Sequence, residues 1–268
     1  MSSSALVVVH PDADVLAAAA AARLIVTLST AQAERGMASV VLTGGGIGTR
    51  MLAAVAASPA RDAVRWPDVD VWWGDERFLP SGDAERNETG ARRMLLDAVE
   101  VSAERVHAFP PPGAVLGGRD PDAAPHAAAA LYQAQLQRWW SDGGAFDVVL
   151  LGVGPDGHVA SLFPGAPALE AQDAVVAVRD APKPPSQRHT LTLPAINSAR
   201  EVWLLAAGAE KADPVRAVRS TPAPDPSSGK HSTSLNITGK VQPVPAARVA
   251  GRERTLLLVD AAAAGQCS

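Results

Sequence analysis

Short β-rich runs punctuate this sequence: ALVVV from Ala5, SVVLT from Ser39, VDVWW from Val69, FDVVLLG from Phe146, AVVAV from Ala174, EVWLLAA from Glu201 and TLLLVD from Thr255. They are continuously apolar instead of alternating with polar residues, and a strand of that kind has to be covered on both faces. Between them lie longer helix-favouring segments. Asp12 to Arg35 is rich in alanine and leucine, Asp83 to Val99 carries mixed charges, Pro121 to Trp140 is alanine-rich, and Ala209 to Arg219 is short and basic. Strand alternating with helix predicts an α/β fold with a mostly parallel sheet and helices on both faces. A length of 268 residues suits a single domain over 1–268. Two stretches read as irregular: the proline- and glycine-rich FPPPGAVLGG from Phe109, and a long surface loop at 221–245 without apolar period.

A formal net charge of −4 supplies no broad positive field, which argues against nucleic acid or an anionic membrane as partner. With Cys267 as the only cysteine, an intramolecular disulfide and a cysteine metal cluster are both excluded, and a reducing compartment fits. The beginning, MSSSALVVVHPDAD, has no basic n-region, and Arg23 interrupts the longest alanine-rich run, so a soluble, unexported, cytoplasmic chain is expected. Without a secretory signal the glycosylation patterns Asn87-Glu-Thr89 and Asn236-Ile-Thr238 carry no weight. Gly229-Lys230 is not a P-loop ending, because Pro224 stands where its first glycine belongs and His231 replaces the hydroxyl residue. The histidines lack ligand-like pairing, and no metal site is expected. The tryptophan pairs Trp72-Trp73 and Trp139-Trp140 read as packing residues.

The segment GVGPDGHVASLFPG, from Gly152, contains a formal G-x-G-x-x-G after a strand. A dinucleotide fingerprint also needs a sustained helix to face the pyrophosphate, and here Pro164, Gly165 and Pro167 leave room for a turn or two at most. What remains is a glycine turn at a strand's C-terminal end carrying Asp156, Gly157 and His158, where open α/β sheets place ligands. Three more segments should reach the same sheet edge. VVLTGGGIGTRML, from Val40, is a strand, three glycines and a helix start whose backbone N–H groups can cradle phosphate. VWWGDERFLP, from Val71, delivers Asp75, Glu76 and Arg77 at a strand's exit. PPSQRHTLTLPAINSAREVWLLAAGAEKADPV, from Pro184, offers Arg188 and Lys211.

In this order and spacing the four segments resemble the 6-phosphogluconolactonase family, within the broader group that includes glucosamine-6-phosphate deaminases. The likeness runs from Leu42 to Val215, and PAARVAGRERTLLLVDAAAA resembles the family's C-terminal strand. It implies a Rossmann-like fold and hydrolysis of 6-phospho-D-glucono-1,5-lactone to 6-phosphogluconate in the oxidative pentose phosphate pathway. It implies a phosphorylated sugar lactone as the small-molecule partner and no cofactor; oligomeric state is open, with a monomer as the default. Departures are Thr43-Gly44-Gly45 for serine-glycine-glycine, Gly46-Ile47-Gly48 for a Ser/Thr-Pro continuation, and Val159 for threonine.

For that reaction His158 is the expected general base, since imidazole accepts a proton near neutral pH. Asp156 is expected to orient it, and Asp75 is the other carboxylate candidate. Backbone N–H groups around Gly154 to Gly157, or a short helix beginning near His158, are expected to face the oxyanion. Arg188 and Lys211 are expected to hold the phosphate, with the loop of Thr43, Gly44, Gly45 and Gly46; Arg77 adds to the field or binds sugar hydroxyls, and Gly157 borders the substrate. Three rivals exist. An isomerase of the deaminase kind has a glutamate before the proline, where this chain has Phe163. A non-catalytic sugar-phosphate sensor would not need His158, and an NAD-binding module would need the missing helix.

Overall fold

The computed structural model describes residues 5–115, 123–221 and 244–265. Six strands form one sheet in the order β1 (Leu6–His10), β9 (Arg254–Asp260), β8 (Glu201–Ala206), β5 (Val148–Gly152), β2 (Ala38–Leu42) and β3 (Val69–Trp73), with every neighbouring pair parallel. Every residue of β2 and β3 is buried, as their predominantly apolar character requires, with Ser39 and Asp70 the polar residues among them. β1 differs: it is an edge strand, and Leu6 and Val9 are exposed on it.

Helix α1 (Ala13–Arg35) starts where the Asp12 carboxylate accepts the N–H groups of Asp14 and Val15, at 2.9 and 2.8 Å. It runs to Arg35, matching the helix-favouring segment read from Asp12 to Arg35. By length and composition alone this helix could cross a membrane, but Leu16, Leu24, Ile25 and Leu28 are buried in the core. α2 (Gly45–Ala57) packs beside α1, burying Met51, Leu52 and Val55. The helix expected from Asp83 is shorter, α3 (Asn87–Met94), followed by a 3-10 turn over Leu96–Ala98. α4 (Ala123–Ser141) inserts Tyr132, whose hydroxyl accepts the Trp73 N–H at 3.0 Å. α5 (Leu193–Asn197) and α6 (Ala212–Ser220) complete the helices among the described residues.

A second sheet was not legible in the sequence. β4 (Asp75–Arg77), β7 (Arg188–Leu191) and β6 (Val175–Val178) form an antiparallel three-stranded sheet in that order. The AVVAV run thus joins this sheet instead of the parallel one, and the DER cluster is a strand instead of a loop. Gly74 joins the two sheets: its N–H donates to Leu42 O at 3.0 Å, and its carbonyl accepts from Leu191 N–H at 2.8 Å. The expected loop at 221–245 lies, over 222–243, outside the described residues, as do residues 116–118 of the stretch begun at Phe109, and Cys267.

Candidate active site

The chain passes from β2 outward to β3, then reverses through β5, β8 and β9, so the strand order switches direction between β2 and β5. Ligands in open α/β sheets sit outside the carboxyl ends at such a point. A cleft of about 610 Å³ opens there, lined by Thr43 and Gly44 after β2, Gly154 and His158 after β5, and Gly208 and Lys211 after β8. That volume is ample for a sugar phosphate. The two central loops are tied together where Thr43 Oγ1 accepts the Gly152 N–H at 3.3 Å.

His158 stands on a turn and not on a helix: Val153 and Val159 form a bridge, as do Val159 and Leu162, and no helix follows. Val159 is fully buried, consistent with a β-branched packing residue. A Cβ at Gly154 would lie 2.0 Å from His158 Nδ1, so glycine is required for the imidazole to fold back over the turn. Asp156 Oδ1 lies 2.5 Å from His158 Nδ1. Burial raises the Asp156 pKa, but the hydrogen bond and charge of His158 outweigh it, and the carboxyl is held below its ordinary value. An ionised carboxylate can only accept, so Nδ1 carries the proton and Nε2 presents its lone pair.

Of the turn's N–H groups expected to face the oxyanion, those of Gly154, Gly157 and His158 are already engaged. Gly154 N–H donates to His158 O, Gly157 N–H to Gly154 O, and His158 N–H to Asp156 Oδ1 at 3.3 Å; Pro155 has no N–H. Gly157 also gives its carbonyl to Ala246 N–H and packs on Val244, so it shapes the turn and does not line the cleft, contrary to expectation. The start of α2 also lines the cleft, and its N-cap Gly44 supplies no side-chain bond to the first-turn N–H groups. Gly45 and Gly46 already belong to that first turn, so the glycine loop is a helix N-terminus with its partial positive charge facing the cleft.

Asp75, Arg77 and Arg188 reach the cleft from the small sheet, with Arg77 and Arg188 in register across β4 and β7. Asp75 is buried; Ser161 Oγ donates to its Oδ2 at 2.7 Å and Asn87 Nδ2 to its Oδ1 at 3.2 Å. It lies near Arg188, and the hydrogen bond of His158 Nδ1 goes to Asp156 and not to it. Asn87, set aside in the sequence as half of a glycosylation pattern, lines the cleft and is buried. Its Oδ1 occupies the space that a Cβ at Gly44 would need, 1.9 Å away. Nothing in the sequence distinguishes this asparagine; its role follows from Glu76, whose carboxylate fixes α3 by accepting the Asn87 and Glu88 N–H groups at 2.7 and 2.9 Å.

Burial lowers the Arg188 pKa from its ordinary value, with Asp75 opposing. Burial likewise lowers that of Lys211, with Glu210 opposing and Lys183 adding to the fall. Lys183, a further cation at the cleft, was missed in the sequence because it precedes a proline pair in a run with no pattern of its own. Phe163 packs between the groups that matter: its ring centroid lies 4.7 Å from that of His158, and the Arg188 guanidinium carbon lies 5.7 Å from it. Among the described residues no group of three or more metal-ligating side chains occurs.

A family model described as glucosamine-6-phosphate isomerases/6-phosphogluconolactonase matches residues 11–256. A 6-phosphogluconolactonase of Streptomyces coelicolor is 49% identical over 267 residues, covering 99% of this chain and 96% of the relative. One of Mycobacterium tuberculosis is 44% identical over 270 residues, covering 99% of each. Among solved structures, the 6-phosphogluconolactonase of Trypanosoma brucei superposes with a TM-score of 0.76 at 26% identity, covering 97% of this chain and 98% of that one.

Proposed function

The chain belongs to the glucosamine-6-phosphate isomerase/6-phosphogluconolactonase family, and from that premise we propose how it works on its lactone. It is a 6-phosphogluconolactonase, hydrolysing 6-phospho-D-glucono-1,5-lactone to 6-phosphogluconate in the pentose phosphate pathway. The observation that carries the mechanism is His158 at the cleft, with Asp156 Oδ1 2.5 Å from its Nδ1, in a cleft also lined by Arg77, Lys183, Arg188 and Lys211. Asp156 holds the tautomer that leaves His158 Nε2 free. Nε2 takes a proton from water as the oxygen attacks C1 of the lactone. The tetrahedral intermediate then collapses, the C1–O5 bond breaks, and the imidazolium returns its proton to O5 as the ring opens.

The phosphate, remote from C1, is held by Arg188, Lys211 and the N-terminus of α2 with Thr43, Gly44, Gly45 and Gly46; Arg77 and Asp75 take the sugar hydroxyls. Binding energy from that end positions the carbonyl against water. Phe163 fills the place from which an isomerase would use a glutamate, and its ring cannot move a proton. The family role supports a cytoplasmic location. The test is a coupled assay on freshly generated 6-phosphogluconolactone, corrected for spontaneous hydrolysis. Acceleration by wild type and its collapse in His158→Ala are expected; a mutant with undiminished kcat would remove His158 from the mechanism.

A further inference from the structure

Arg188 does not give its whole fork to the cleft. Its Nε donates to Pro185 O at 3.1 Å and its Nη2 to Lys183 O at 2.9 Å, so one edge of the guanidinium is spent on the main chain of the β6–β7 loop. The loop is closed on itself by Ala181 N–H to Ser186 O at 3.1 Å. A buried arginine thereby pins the main chain of Lys183, and the Lys183 side chain lies at the cleft. Among the described residues no carboxylate pairs with Lys183, whereas Lys211 has Glu210 at 3.9 Å. Lys183 is near enough to Lys211 to disfavour the latter's charge. Two ammonium groups and a guanidinium thus converge in a chain of net charge −4, an arrangement that is costly empty and favourable around a dianion.

We propose that Lys183 is a third cationic ligand of the substrate phosphate, and that Arg188 serves partly as a positioning residue that pins the Lys183 loop over the cleft. This rests on the phosphate end assigned above. A phosphate met by three cations from two separate loops would be read by charge and shape together, and the β6–β7 loop would contribute to phosphate recognition. Lysine, a compact charge on a flexible stem, suits the outer place, while the planar arginine fork suits the pinned one.

The test compares wild type, Lys183→Ala and Lys183→Arg by calorimetric binding of 6-phosphogluconate, competitive inhibition by inorganic phosphate, and kinetics on the phosphorylated lactone and on unphosphorylated glucono-1,5-lactone. Lys183→Ala is expected to weaken 6-phosphogluconate roughly 10- to 100-fold, the range for loss of one charge-assisted contact. KM for the phosphorylated lactone should rise with little change in kcat, and inhibition by phosphate should weaken. The loss on the unphosphorylated lactone should be at least roughly ten times smaller, and Lys183→Arg should recover most of the affinity. Unchanged 6-phosphogluconate affinity, or equal losses on both lactones, would overturn the assignment. Were wild type to bind 6-phosphogluconate without accelerating hydrolysis, the reaction would fall while the binding arm still decided Lys183.

Discussion

In the six-stranded sheet, strands β2, β3 and β5 are buried with scarcely an ionisable group among them, whereas the three-stranded sheet buries Asp75, Glu76, Arg188 and His189 at similar depth. The first is stabilised mainly by removing apolar surface from water, and its buried acid, Asp70 on β3, is met by Arg105 and His107. The second has to satisfy each polar group individually. Glu76 accepts from the backbone N–H groups of Arg77, Asn87 and Glu88, and His189 Nε2 meets Pro125 O at 2.9 Å. Burial still leaves its mark: it pushes Glu76 up to about 7, against the pull of Arg86 and the N–H donors, and pushes His189 down to about 4. The apolar sheet is the frame, and the polar sheet brings charge to its open end.

If that division is right, changes at the cleft should cost chemistry and changes in the frame should cost stability. The largest effect belongs to His158→Ala, which should lower kcat by roughly 10²- to 10⁴-fold while 6-phosphogluconate still binds. Next, Leu204→Ala, in the middle of β8 and fully buried, should cost about 2–5 kcal/mol in denaturant unfolding. Its kcat and KM per folded molecule should stay close to wild type; a large kinetic defect would show that the frame tunes the site.

A sharper test lies in the pair Glu76 and His189, which face each other in register across β4 and β7. His189, depressed from 6.5 to about 4, favours folding fully above pH 6.5, and that contribution is lost as pH falls towards 4. Glu76, raised from 4.5 to about 7, has the opposite sign: its contribution is complete below 4.5 and lost as pH rises through 7. The two slopes oppose each other between these limits. His189→Gln, which keeps a donor towards Pro125 O, should therefore gain roughly 3 kcal/mol relative to wild type on going from pH 7 to pH 4. A stability difference that does not vary with pH would mean that His189 is not held neutral. The smallest effect is expected for Asp156→Asn: a loss of kcat of roughly tenfold, less than removal of the base, because the tautomer is no longer imposed. An unchanged rate would leave Asp156 a turn residue only.

The parallel strands and long helices could be read directly, because an unbroken apolar run has one way to be buried and its period needs no distant partner. The strand-end residues His158, Asp156, Thr43, Asp75, Arg188 and Lys211 were legible for a related reason: ordered glycines and charges after such runs fall at the carboxyl edge of the sheet wherever the helices lie. The second sheet was hidden, since DER and RHTL carry no apolar signal, and their pairing joins segments more than a hundred residues apart. Tertiary structure alone decided that the turn's N–H groups are consumed internally, that Gly157 faces Val244, and that Asn87 and Lys183 enter the cleft. Asn87 is placed by hydrogen bonds with Asp75 and Glu76 on another element, and Gly157 by the return of Val244 and Ala246. Sequence pattern records which side chains must leave water; which donor meets which acceptor is settled only when the chain has closed around them.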